Sequence, residues 1–407
     1  IGITLGIIAS WLLIAKKIRE ETEKYDALTI PDYLHKRYRD NSNIIRLFST
    51  GIIAFFFLFY VSAQFHASGK VLNTLFNIDQ IHGIAIGAFI IISYTLMGGF
   101  YAVAWTDFIQ GILMISTLII LPLAGFIELK NQNISITQML ESAAKVFNNN
   151  NSSFFMGHSS YLAFLTILSG LSWGLGYLGQ PHLIIRYMSI KNTKDIKAAR
   201  SIAIAWTIPG VFGAFMIGLI SLAYFGPDYF LINDPEKSMP LLATALLHPI
   251  VAGLFISGAV AAMMSTADSQ LLVSTSAITE DFFHQYLKIN LSDKDLLRLN
   301  RIVILILGLI AFGIATYSQL AGKNIFDVVS YAWSGLGSAF GPALLLTLWW
   351  PKTTRKGVIA GMIVGFSTTI IWSNYATFNL IISERVTSFI FSIISIYCVS
   401  IFTKNEN

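Results

Sequence analysis

Charge is scarce in this sequence: Asp, Glu, Lys and Arg supply 12% of it, about half the share of a soluble domain. Cysteine is scarcer still. Cys398 stands alone, which excludes an internal disulfide framework or a thiolate metal site within one chain. Glycine-rich phosphate loops, a nucleophile elbow and HExxH are missing, so the common signatures of nucleotide, hydrolase and metalloprotease chemistry are absent and the chain does not read as an enzyme. His66, His82 and His182 lack metal-ligand spacing and read as polar spots near loop ends. The net charge of +5 does not argue for nucleic acid, because the cations are spread along the chain between apolar runs.

What is abundant is apolar. Hydrophobic residues make up 55% and aromatics 13% of 407 residues, which places the chain in the lipid bilayer. A spanning helix needs about 20 apolar residues, and eleven candidate segments of that kind are separated by short polar loops. Barrel strands would be about ten residues long with period-2 alternation, so the expected class is an all-α integral membrane protein in one transmembrane domain, residues 1–407. With alternate loops assigned to opposite sides, the 27 cations divide 21 against 6. The positive-inside rule then puts the residue-1 end outside and the residue-407 end in the cytoplasm.

Along the chain, the third and fourth segments, about 81–97 and 105–128, form an antiparallel pair joined by a short turn. The outer stretch 128–158, with its NNNNSS tract, reads as a flexible loop. Pro209-Gly210 predicts a kink in the sixth segment. An amphipathic outer piece covers 234–247.

One stretch departs from this pattern. Ser169 to Arg186, SGLSWGLGYLGQPHLIIR, interrupts a membrane-length segment with Gly170, Gly174, Gly176, Gly179 and Pro181. Glycine weakens a helix and proline removes an amide donor, so the segment is expected to break. Freed backbone groups cannot face lipid and must line a cavity or be buried in protein. Interrupted helices of this kind hold substrate and ions in transporters. Trp173 and Tyr177, four apart, share a face where the helix persists, and Gln180-Pro181 follows.

The seventh segment, AAMMSTADSQLLVSTSAITED, is long and dotted with polar groups. Ser265 and Thr266 either bond back to a carbonyl of their own helix or, with the Ala262 carbonyl, give part of an oxygen shell for a hard cation. Asp268, beside Ser269, is an intramembrane acid, which marks a candidate functional group. Asp107, in AWTDFIQG, is either a second such group or a helix-start acid near the interface.

LTIPDYLHKRYRD, GGFYAVAWTDFIQ, WGLGYLGQPHLIIRYM, the seventh segment and SYAWSGLGSAFGPALLL together resemble, in order and spacing, the sodium:solute symporter family, and within it the bacterial proline carriers. The resemblance extends over essentially all 407 residues. It implies a LeuT-like inverted-repeat transporter fold, alternating access, Na+ as coupling ion and L-proline or a similar small solute as substrate. It implies sodium at Ala262, Ser265 and Thr266. Tyr60, Trp173, Tyr177 and Pro181 fall at the substrate site, with Gln180 beside them. A second cation site, found in some relatives, would fall at Asp107, Asp268 and Ser269. The family begins with two further helices, and Ile1 matches the helix after them, so the chain is expected to be a piece shortened at that end. A sensory membrane module and a channel are the rival classes. The polar groups sit mid-span with apolar ends, which suits an occluding carrier rather than a continuous pore.

Overall fold

The computed structural model describes residues 1–147, 160–289 and 291–403. Almost all of it is helix. α1 (Gly2–Ser10) continues through a π turn, Trp11–Ala15, into the charged α2 (Lys16–Lys24), and α3 (Ile30–Arg37) carries Pro31 in its first turn with Thr29 as its cap. α4 (Ile44–Phe76) and α5 (Gln80–Asn131) follow, then the short α6 (Ile136–Val146). α7 (Ser160–Leu171), α8 (Trp173–Gly176) and α9 (Pro181–Met188) make up the interrupted segment. α10 (Ile196–Phe225), α11 (Tyr229–Ile232) and α12 (Ser238–Leu246) precede α13 (Pro249–Ser276), which a π stretch carries on to Tyr286. The chain then runs through α14 (Asp293–Leu320), α15 (Ile325–Trp349), α16 (Arg355–Asn374), α17 (Ala376–Ile381) and α18 (Glu384–Phe402).

Length and composition of the helices reproduce only part of the expected count of eleven spans. Among the described residues eight helical segments are long and apolar enough to cross a membrane, or nine if the bent pair around Gly176 and Pro181 counts as one. The first helix turns charged after its π turn, at KKIREETEK. α15 is lined with Ser, Gly and Trp, and every residue from Ala332 to Leu344 is buried. A helix shielded by its neighbours does not need an apolar surface, which is why composition and span diverge there.

α4 is the central strut, packed against α5, α13, α14 and α15. Its first half shares a core with α15 through Phe56, Phe57, Leu336 and Phe340, while Val61 and Phe65 meet Ile91, Leu271 and Leu307. The outward faces of α10 and α14 expose Phe212, Phe215, Ile306 and Leu309, side chains that lipid accommodates without cost. At the cation-rich end, Arg46 donates to Asp32 at 2.7 Å and lies 3.4 Å from Asp281, tying α3 to α4 and to the end of the α13 extension.

Three local expectations are revised. The third and fourth segments are present as an antiparallel pair, but the turn between them is helical backbone within α5. On a straight helix Tyr94 and Thr117 would lie about 35 Å apart. Tyr94 instead reaches the Met264 carbonyl (2.9 Å) and Thr117 the Phe255 carbonyl (3.1 Å), two points about 14 Å apart along α13, so α5 doubles back. The stretch expected as a loop holds a helix, α6, on Ile136–Val146, while the NNNNSS tract lies outside the described residues. α10 continues as helix through Pro209, the place of the expected kink, which membrane helices tolerate where neighbours and local adjustment absorb the freed carbonyl. The amphipathic piece at 234–247 is a turn of 3-10 helix, Pro235–Lys237, followed by α12.

Candidate functional site

The interrupted segment breaks where glycine and proline predicted. Its two arms, Tyr161–Gly176 and Pro181–Met188, meet at 44°. Between them the backbone tightens to i→i−3 bonds: Tyr177 N–H donates to Gly174 O at 3.2 Å and Gly179 N–H to Gly176 O at 3.0 Å. Pro181 then opens α9 at a position whose amide would have no partner. The glycines also serve a purpose beyond breaking the helix. A Cβ on Gly176 would sit 1.9 Å from Trp333 Nε1, and one on Gly179 would sit 2.3 Å from the Gly341 amide, so the broken segment presses backbone to backbone on α15.

That approach assembles an aromatic box. Trp333, from α15, lies 4.6 Å from Tyr177, 6.3 Å from Trp173 and 6.2 Å from Tyr60, ring centre to ring centre. Its indole N–H donates to the Trp173 carbonyl at 3.0 Å, and its own carbonyl accepts from Gln180 Nε2 at 3.1 Å. Gln180 is fully buried, with Oε1 left without a partner. Arg385 lies 4.5 Å over the Trp173 ring and donates to Ser172 Oγ at 3.1 Å. Tyr60, Trp173, Tyr177, Gln180 and Pro181 are thus brought together. Trp333 was missed in the sequence, although it stands in SYAWSGLGSAFGPALLL; nothing local marks it, because its partners all lie in segments far away along the chain. His182 is corrected too. Rather than ending a loop, it is buried against Phe57 and Tyr60, with centroids at 5.5 and 6.3 Å.

On α13 the Ser265 and Thr266 hydroxyls both donate to the Ala262 carbonyl, at 3.2 and 2.8 Å. Their protons are spent inward, which leaves oxygen lone pairs for a hard cation. The three oxygens lie within one turn of α13. Of the two alternatives weighed for this pair, the structure shows the hydroxyls bonded back to their own helix.

Asp107, Asp268 and Ser269 share a neighbourhood but are not grouped around one vacancy. Asp268, fully buried, accepts from the Tyr94 hydroxyl at 2.7 Å. Asp107 Oδ2 is held by Arg186 Nη2 at 2.5 Å, and the same nitrogen donates to Ser269 Oγ at 2.8 Å. Arg186, counted among the topology cations, is here a built-in cation between the two groups. No cluster of three or more His, Cys, Asp or Glu suited to a metal occurs among the described residues. A cavity of 110 Å³ adjoins Arg186, His182 and Ser269.

A helical membrane protein with a broken span, an aromatic box on one side of the break and a row of hydroxyls on a facing helix is a transporter of the LeuT-like class. The comparisons narrow this. The sodium:solute symporter family model matches residues 1–365, and the chain belongs to that family. It is 39% identical to the high-affinity proline transporter PutP of Bacillus subtilis over 99% of its own length and 83% of that protein's. It is 36% identical to a sodium/proline symporter of Staphylococcus aureus over 99% and 78% of the respective lengths. Among solved structures, a Na+-coupled sialic acid symporter in its substrate-bound outward-open state superimposes with a TM-score of 0.75 at 18% identity, covering 98% of this chain and 83% of that one. That likeness is one of fold.

Proposed function

We propose that this protein couples inward sodium flow to uptake of L-proline, or a closely similar small solute, across the bacterial plasma membrane. The observation that carries the proposal is the box of Tyr60, Trp173, Tyr177 and Trp333 at the broken helix. A pyrrolidine ring packs on such faces, while the ends of the interrupted helix offer carbonyls to an ammonium and amides to a carboxylate. The names of the two curated relatives support proline over other solutes.

Sodium at Ala262, Ser265 and Thr266 would draw α13 toward an opposing element. Coupling needs only that the ion bind the substrate-ready, outward-facing state better than the other. Asp107, Asp268 and Ser269 form the second polar centre, with Arg186 in the place a second cation would take. The 21 to 6 division of cations supports an orientation with the residue-1 end outside and the residue-407 end in the cytoplasm.

The decisive experiment is uptake of radiolabelled L-proline by cells devoid of their own proline carriers and expressing the gene, with and without a sodium gradient. Unlabelled amino acids, sugars and carboxylates serve as competitors. Sodium-driven uptake displaced by proline alone is expected. Uptake indifferent to sodium would reject the coupling, and displacement by a sugar but not by proline would reject the substrate.

A further inference from the structure

The turn that opens α18 grips the first arm of the broken segment at three points. The Ser383 amide donates to Ser169 Oγ at 3.1 Å, Arg385 Nε donates to Ser172 Oγ at 3.1 Å, and the Arg385 guanidinium lies 4.5 Å over the Trp173 indole. Ser172 is buried and donates in turn to the Ser169 carbonyl at 2.6 Å, so the anchor of the guanidinium is itself fixed.

The neighbouring acid reaches the opposite wall of the box. Glu384 Oε1 accepts from Ser330 Oγ at 2.9 Å and from Ser334 Oγ at 2.7 Å, and Arg385 Nη1 donates to Ser330 Oγ. On α15 these serines stand one turn before and one residue after Trp333. Glu384 and Arg385 pair at 3.2 Å, and together they join the two elements that carry Trp173 and Trp333.

Trp173 depends on such a contact. Its ring is half-buried and meets Phe326 at 5.2 Å and Trp333 at 6.3 Å, tilted in both cases rather than stacked. A cation held over the face of an indole favours one setting of its side-chain torsions over the others. The charged pair is also nearly out of water, with 11% of the Arg385 side chain and 9% of the Glu384 side chain exposed. Desolvating two charges offsets most of their attraction, and apolar side chains of similar volume often serve stability as well. Stability alone therefore does not account for a buried ion pair at this place, whereas orientation of the ring does.

We propose that Arg385 is a positioning residue for solute binding: it fixes the Trp173 indole and, with Glu384, the spacing of Trp173 and Trp333 across the box. The inference rests on the reading of that box as the solute site.

The test compares Arg385→Met, of similar volume and without charge, with Arg385→Lys, which restores a cation but not the fork to Ser172 and Ser330. Sodium-driven uptake by cells gives KM and the maximal rate per folded carrier. Fluorine NMR of the purified full protein labelled with fluorotryptophan reads the indoles, with Trp173 and Trp333 assigned through Trp173→Phe and Trp333→Phe. Arg385→Met is expected to raise the KM for proline about fivefold while the maximal rate stays within about twofold. It should shift the Trp173 and Trp333 resonances and leave the other indoles in place, and Arg385→Lys should recover part of both effects. If Arg385→Met does not fold, Ser172→Ala, which removes the anchor of the guanidinium, carries both measurements with the same expectations. An unmoved Trp173 resonance, an unchanged KM, or a loss confined to the maximal rate overturns the proposal. A wild type that takes up no proline is a separate result: it rejects the reading of the box, and the role toward solute with it, whatever Arg385 does to the Trp173 resonance.

Discussion

The indole N–H of Trp333 donates to the carbonyl of Trp173 at 3.0 Å. One carbonyl freed by the break in the helix is thus paired by a side chain from α15, and the same side chain forms a wall of the aromatic box. Replacing it with phenylalanine keeps a ring and removes the donor. At about 1 kcal/mol for a lost neutral hydrogen bond, Trp333→Phe should raise the KM for proline roughly fivefold. Initial-rate uptake across a range of proline concentrations checks this; an unchanged KM would separate Trp333 from the substrate.

Ser265→Ala with Thr266→Ala removes two of the three oxygens on the α13 turn. Hydrogen bonds and contacts to a charge are worth about 1.5–3 kcal/mol each, so the sodium concentration for half-maximal uptake should rise more than roughly tenfold. The KM for proline at saturating sodium should move far less. A sodium requirement equal to that of the wild type sinks the ion assignment.

Arg186 and Asp107 form a pair whose acid is mostly buried, with 10% of its side chain exposed, and whose cation is partly open, at 45%. Arg186→Gln leaves the Asp107 carboxylate short of a partner, which costs about 1–3 kcal/mol and should lower the unfolding temperature. Adding Asp107→Asn should recover part of that loss, because two neutral amides tolerate each other. Thermal unfolding of the two singles and the double measures the coupling, and strictly additive losses would contradict it.

Gly179→Ala places a methyl 2.3 Å from the Gly341 amide. Overpacking of this kind costs about 1–3 kcal/mol and should reduce both folded yield and uptake. Gly218 and Gly313, in α10 and α14, have open space at the same position. Alanine there should be neutral or stabilise by up to ~1 kcal/mol. Membrane yield and melting temperature of the three variants distinguish contact from helix propensity.

Asp40 lies in the short connection between α3 and α4. Burial alone would raise its pKa, but the Ser42 hydroxyl, the Ile45 amide and the Arg355 guanidinium together hold it below the ordinary carboxylate value. A pKa depressed by folding contributes stability that is complete above the unfolded value, about 3.9. That contribution is lost as pH falls through the folded one. Asp40→Asn should therefore be less stable than wild type at neutral pH, and the gap should close below about pH 4. Unfolding midpoints between pH 3 and 7, about the window of that titration, check the sign; a gap that widens in acid would contradict it.

Much of the architecture was legible in the order of residues. Apolar length and scarce charge define a membrane protein of helices, because lipid satisfies no backbone group and only hydrogen-bonded helices or closed barrels survive in it. The break at Tyr177–Gln180 was readable for a local reason: glycine and proline act on their own backbone. The paired hydroxyls at Ser265 and Thr266 were readable as well, since both lie within one turn. The number of spans was less so, because α15 is shielded by protein and its Ser, Gly and Trp carry no signal of lipid contact.

What only the tertiary structure decided is which distant groups meet. Trp333 reaches the broken helix because Gly176 and Gly179 let two backbones approach, a condition that no pattern within either segment expresses. Arg186 is one more cation in the sequence, yet folding places it on Asp107 and Ser269, two of the residues the sequence set aside for a second ion. Composition and periodicity govern what a segment does with solvent and lipid. Close packing between segments far apart in the chain determines what the site contains, and the sequence carries that information only through the fold.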